Sequence, residues 1–156
     1  MVTVFDLADY ILDKCIKKEN IAITTWKLQK LVYYCQAWSL VWDEEPLFDQ
    51  RIEAWANGPV CPTLYEVHRG EYAISRIPNE RGSWTKLNQS QIKTVDAVLD
   101  FYGSKPAQYL RDLTHMERPW LEAREGLQDG VPSSNVIKLS TMKKYYADLY
   151  RKNKAK

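Results

Sequence analysis

Two histidines and three cysteines are the residues of this chain best suited to chemistry: His68, His115, Cys15, Cys35 and Cys61. A thiol beside an imidazole makes a nucleophile and base pair, and Cys61 would form one if folding brought either histidine to it. Against that stands the commoner fate of a cysteine in a reducing compartment, which is to fill space as an inert buried thiol. The same residues lack the C-x-x-C spacing of a zinc site, and three cysteines so placed match no disulfide framework. Nor does the chain contain G-x-S-x-G, H-E-x-x-H, D-x-D ahead of a glycine turn or a glycine-rich phosphate loop, and it has glycine at only six positions. We therefore expect no catalytic residue, no metal and no cofactor, and a protein that acts by binding.

Aromatic residues supply the means. Six Trp and ten Tyr give the chain large amphipathic rings, which serve both cores and protein interfaces. Trp26, Trp42 and Trp84 lie in polar stretches and are expected on the surface, whereas Trp38, Trp55 and Trp120 are expected to be structural. At the C-terminus Lys143, Lys144, Arg151, Lys152, Lys154 and Lys156 face only Asp148, with Tyr145, Tyr146 and Tyr150 between them. The candidate partner-binding surface is accordingly Trp26, Trp42, Trp84, Lys143 and Tyr150. The alternative is a nucleic-acid-binding regulator using the basic terminal helix. A net charge of +2 and the lack of any recognition-helix pattern favour a solvated helix face instead, and disfavour nucleic acid as the partner.

The elements that must hold these residues are mostly helices. Thr3-x-x-Asp6 caps a first helix carrying Phe5, Leu7, Ala8, Ile11, Leu12 and Cys15, with Asn20 near its end. Thr24 and Thr25 precede a second, apolar on nearly every face from Leu28 to Val41 and stopped before Pro46, which we place at the centre of the domain. Phe48 to Trp55 reads as a short strand feeding a rigid turn at Asn57-Gly58-Pro59. Pro62 opens a helix that Gly70 closes, and Ser75 to Trp84 reads as an exposed loop or loose hairpin. Asn88 with Gln91 caps a helix ending at Gly103, while Pro106 and Pro119 open two more. Val136, Ile137 and Leu139 suggest a last short strand, after which Ser140 or Thr141 caps a terminal helix with Met142, Tyr146 and Leu149 inward.

At 156 residues, 45% of them apolar and 27% charged, the chain is expected to be one ordinary globular domain spanning 1–156, mainly α with a small antiparallel β element. No apolar run approaches the roughly 20 residues that cross a bilayer, and Asp6, Asp9 and Asp13 interrupt the N-terminus where a signal peptide would be uncharged. The expected location is the cytoplasm, with no membrane partner.

Three segments together resemble one family. They are Lys27 to Tyr34, containing Leu28, Lys30, Leu31 and Tyr34; Ile52 to Val60, containing Trp55, Gly58, Pro59 and Val60, followed by Leu64-Tyr65; and Leu113-Thr114-His115 followed by Pro119-Trp120. In order and separation they are similar to the Panacea domain, the SocA-like antitoxins of bacterial and phage toxin–antitoxin systems. The resemblance implies a cytosolic antitoxin encoded beside a toxin gene, including prophage-borne and phage-defence settings, that neutralises its toxin by direct contact. It also implies a second version of the same role, in which the antitoxin delivers its toxin to a protease as an adaptor. Neither catalysis nor a cofactor belongs to the family picture.

Overall fold

The computed structural model describes residues 1–154. In chain order these form α1 (Val4–Leu12), α2 (Thr25–Trp42), β1 (Glu53–Trp55), β2 (Gly58–Val60), α3 (Pro62–His68), α4 (Gln89–Tyr102), α5 (Ala107–His115), α6 (Arg118–Ala123) and α7 (Leu139–Lys154). A mainly helical domain with one small antiparallel hairpin is thus what the chain forms. No helix among the described residues is long and apolar enough to cross a membrane.

Helix starts fall where side chains can satisfy the free N–H groups of a first turn. The Thr3 hydroxyl accepts from the Asp6 N–H while the Asp6 carboxylate accepts from the Thr3 N–H, and Asn88 and Gln91 repeat the exchange at α4. Thr24 caps α2 through the Lys27 N–H at 3.1 Å. Past α1 the chain widens into a π-type turn, Asp13–Lys18, and reverses at Asn20 with φ 55°.

Nearly every residue of α2 is buried, from Thr25 to Leu40, with α1, α4, α5, α7 and β2 packed around it. Each large apolar side chain enclosed this way contributes roughly 1.5–3 kcal/mol, which outweighs the weak helix preference of its β-branched and aromatic residues. Two buried glutamines on α2 behave as extra peptide groups. Gln36 accepts from the Leu47 N–H and donates to the Phe48 carbonyl, both at 2.8 Å, and Gln29 accepts from the Cys61 N–H at 2.8 Å and donates back to its carbonyl. The irregular segments on either side of the hairpin are thereby fastened to the central helix.

Three local expectations need correction. The hairpin turn is Ala56-Asn57, and Gly58-Pro59 instead opens the returning strand, with Trp55 opposite Gly58 and Ala54 opposite Pro59. The missing Pro59 N–H costs the ladder nothing, because Ala54 directs its N–H to Asn135 and its carbonyl to Arg124. Val136 to Leu139 forms no strand: Val136 makes a single bridge to Glu53, and Leu139 already begins α7. Thr141 lies inside that first turn, where its hydroxyl donates to Glu122 of α6 rather than capping. The stretch 75–84 is the mostly exposed loop of the two forms expected, not a hairpin, and α1 anchors it: Asp6 accepts from the Ser83 N–H at 2.8 Å and Asp9 from the Trp84 N–H at 2.9 Å.

Candidate functional site

The family-like segments meet at the hairpin. Three successive carbonyls, those of Ala54, Trp55 and Ala56, accept from Arg124 (2.9 Å), the Trp120 indole (2.9 Å) and the His115 imidazole (3.0 Å). The other His115 nitrogen faces the Arg111 carbonyl at 2.7 Å, so the ring bridges the hairpin and α5. His115 lies 3.9 Å from Trp120, ring centre to ring centre, and the Arg124 guanidinium sits 5.1 Å from the same indole. One short stretch, from the end of α5 through α6, thus grips the hairpin by its main chain. Of the remaining motif residues, Leu28, Leu31, Val60 and Pro119 are buried, and Tyr65 sets its ring edge against Trp55.

Beneath the hairpin runs Lys30. It is 1% exposed, and its Nζ is the buried side-chain polar atom among the described residues that has no hydrogen-bond partner. Its aliphatic stem passes Gly58 so closely that a Cβ there would lie 2.5 Å from Lys30 Cε, and Gly58 itself has φ +122°. Glycine is therefore required twice over at this position, for space and for conformation. Burial, with Arg111 adding like-charge repulsion, pushes the Lys30 ammonium down to about 7. A lysine so placed is poised between cation and free amine at neutral pH.

Lys30 lines a hollow of about 280 Å³ together with Trp26, Asn57, Gln108 and Arg111. A second hollow of about 550 Å³ adjoins it across Trp26 and Asn57, walled by Trp55, Ala56 and Pro132. Glu53, the acid of the second hollow, is already engaged by Arg51 at 2.7 Å and by the Trp55 indole at 2.9 Å.

The five residues expected on a binding surface fall into separate neighbourhoods. Trp26, 37% exposed, stands at these hollows, 5.4 Å from Lys30 Nζ. Trp42 packs on Trp38 and meets Tyr150 edge-on at 6.1 Å, beside Phe101, which sequence reasoning missed and which is 61% exposed. Trp84 belongs to a third place, edge-on to Tyr10 at 6.0 Å. Lys143 is exposed on α7, as are Lys144, Lys152 and Lys154, while Lys156 lies outside the described residues. Tyr146 of the same helix is fully buried and Tyr145 packs against the core, so these rings are turned away from the lysine face. Of the rings expected to be structural, Trp38 and Trp120 are buried and Trp55 is half-buried.

Cys15, Cys35 and Cys61 are free and buried, and burial pushes each thiol up. Gln29 stands between Cys61 and His68, donating to the Cys61 carbonyl and, at 2.9 Å, to His68 Nε2; burial lowers the pKa of that imidazole, which suits an accepting nitrogen. No group of three or more His, Cys, Asp or Glu placed to hold a metal occurs among the described residues. Glu117 is a further enclosed ionisable group. Glu117 Oε1 accepts from Tyr34 at 2.7 Å and Tyr146 at 2.8 Å, and burial lifts its carboxyl to about 7 against the pull of those two donors. Tyr34 stacks on Tyr102 with ring centres 4.0 Å apart, placing the acid within the aromatic core.

Arg111 and Gln108 escaped sequence reasoning, since each is an ordinary polar residue in its own stretch, and Asn57 was read only as part of a turn. The signal that could have found them is Lys30, which with Lys27 puts a charge on a helix apolar on nearly every face. A helical scaffold thus fastens one hairpin by its carbonyls, beside a cationic hollow and an aromatic one. The chain belongs to the SocA-like antitoxins: the model of the Panacea domain of that family matches residues 28–121. No curated protein and no solved structure matches it. Membership brings an antitoxin role and, in general terms, a toxin as partner. The matched stretch runs from α2 to α6 and contains the hairpin, Lys30 and the His115 and Trp120 grip, while α1 and α7 lie outside it.

Proposed function

We propose that this protein neutralises one cognate toxin by binding it directly, and that residues 1–156 act as a single unit in doing so. The family match is the observation that carries this reading. Supporting it are half-exposed and exposed rings set on a firm scaffold, Trp26 at the hollows and Trp42 with Phe101 and Tyr150 at the far ends of α2 and α7. Rigid aromatic anchors of this kind dominate the energetics of protein interfaces, and alanine at the best of them costs about 2 kcal/mol or more of binding. The role belongs to the cytoplasm, where a toxin encoded in the same operon, including one borne by a prophage, is made.

Co-expression with the protein encoded beside it tests the proposal. Growth should be restored by the intact chain and lost when Trp26 or Trp42 becomes alanine, with the purified pair co-eluting. Absence of both rescue and binding would refute the reading. Adaptor activity is a second form of the same role, and it would show as toxin turnover that depends on a cellular protease; rescue with undiminished toxin levels argues for simple blockade.

A further inference from the structure

We propose that the hollow of Lys30 and Arg111 is a receptor for an acidic side chain of the protein partner, with the adjoining hollow of Trp26 and Trp55 receiving an apolar side chain next to it. Lys30 carries the argument. Its Nζ is enclosed and has no acceptor among the described residues, a state that costs free energy and that a bound carboxylate would relieve. Among the described residues no carboxylate lines that hollow; Trp26, Lys30, Asn57, Ala107, Gln108 and Arg111 do. Arg111 stands at its rim, reaching Asn57 Oδ1 at 3.5 Å and Asp112 at 3.3 Å with side-chain exposure of 38%, and its remaining N–H groups are available to a second carboxylate.

Size and neighbourhood select the occupant. About 280 Å³ is small for a whole cofactor and ample for one carboxylate with its methylenes. The second hollow shares Trp26 and Asn57 with the first and is mainly apolar, so a ligand filling both presents an anion beside an apolar group. Adjacent side chains of a peptide do that, whereas free phosphate would leave the larger hollow empty. Gly58 completes the device, because any side chain at that position would meet the Lys30 stem.

Attribution of the acidic segment to the toxin rests on the antitoxin reading, but the receptor itself can be tested without a toxin. The intact chain is titrated with acetyl-Leu-Glu-amide, acetyl-Leu-Gln-amide or inorganic phosphate, following the Lys30 ¹³Cε resonance against pH and the Trp26 fluorescence. The glutamate peptide should raise the Lys30 midpoint from near 7 by about 1 unit or more, as an opposite charge at contact distance does. The glutamine peptide should leave it in place. Lys30→Met should abolish the fluorescence response, and Arg111→Gln, a rim change that spares the core, should weaken the glutamate peptide about tenfold, the effect of losing one charge-assisted hydrogen bond. Equal behaviour of the two peptides, or an unaltered response in Arg111→Gln, would overturn the proposal. Displacement of the glutamate peptide by equimolar phosphate would overturn it too, reassigning the hollow to a free anion. Peptide binding by a chain that captures no toxin would leave the receptor standing and remove only its attribution.

Discussion

Two enclosed ionisable side chains, Glu117 and Lys30, set opposite slopes of stability against pH. The folded pKa of Glu117 is raised from 4.5 to about 7, so the folded chain keeps a proton that the unfolded chain has released across that interval. Its contribution is therefore fully present below about 4.5 and declines as pH climbs to 7, by an amount on the order of 3 kcal/mol. Lys30 acts in the other direction. Its folded pKa is lowered from 10.5 to about 7, the unfolded chain holds the extra proton, and stability rises from pH 7 toward 10.5. Urea unfolding of Glu117→Gln should show the fall between pH 5 and 7 flattened, since an amide oxygen still accepts from Tyr34 and Tyr146 without being charged. An unchanged slope in that variant would assign the fall to other groups. None of this was legible in the sequence, because Glu117 meets Tyr34 from 83 residues away and the pattern of α2 says only that position 34 is buried.

At the scale of elements, local signals were readable and long-range ones were not. Thr3 with Asp6, Thr24, and Asn88 with Gln91 announce helix starts because donor and acceptor lie within three residues of each other. The hairpin was displaced from its expected turn because its register depends on partners remote in the chain: Lys30 passing under Gly58, and Arg124, Trp120 and His115 taking its carbonyls. That dependence can be measured. Gly58→Ala should lose roughly 2–4 kcal/mol, combining a strained φ with overpacking against Lys30 Cε. In a Lys30→Ala background the same substitution should cost less, since only the conformational part remains. A double-mutant cycle with no coupling between the two positions would show that the close approach has no energetic weight.

The described residues share one hydrophobic core, and the last helix is part of it although the family match stops at Leu121. Met142 and Tyr146 of α7 are fully enclosed against α2, and the Tyr146 hydroxyl joins Tyr33 at 3.0 Å as well as Glu117. Ending the chain before Leu139 should therefore abolish cooperative unfolding, because losing one such aromatic alone costs about 3–5 kcal/mol. Ending it after Leu149 should preserve a cooperative transition, since of the described residues only the half-buried Tyr150 and the exposed 151–154 go. Thermal or urea melts of the two truncations decide the point, and a sharp melt in the shorter chain would contradict it. A mainly helical domain with a short strand ahead of a turn was visible from periodicity and punctuation, whereas the returning strand at Gly58–Val60 was not. The two hollows were not, since they are assembled from α2, the hairpin, α5 and the loop at Pro132.

The carbonyl grip also decides what kind of recognition this protein can offer. A two-stranded ribbon ordinarily leaves hydrogen-bonding groups along its free margin, open to pairing with any extended chain. Here the Ala54 N–H and carbonyl are taken by Asn135 and Arg124, and the Ile52 carbonyl accepts from Ile137. No unsatisfied margin remains along β1 for a foreign strand to extend. A partner meeting this face finds side chains rather than backbone, which guards the molecule against edge-to-edge aggregation and leaves selectivity to the chemistry of individual residues.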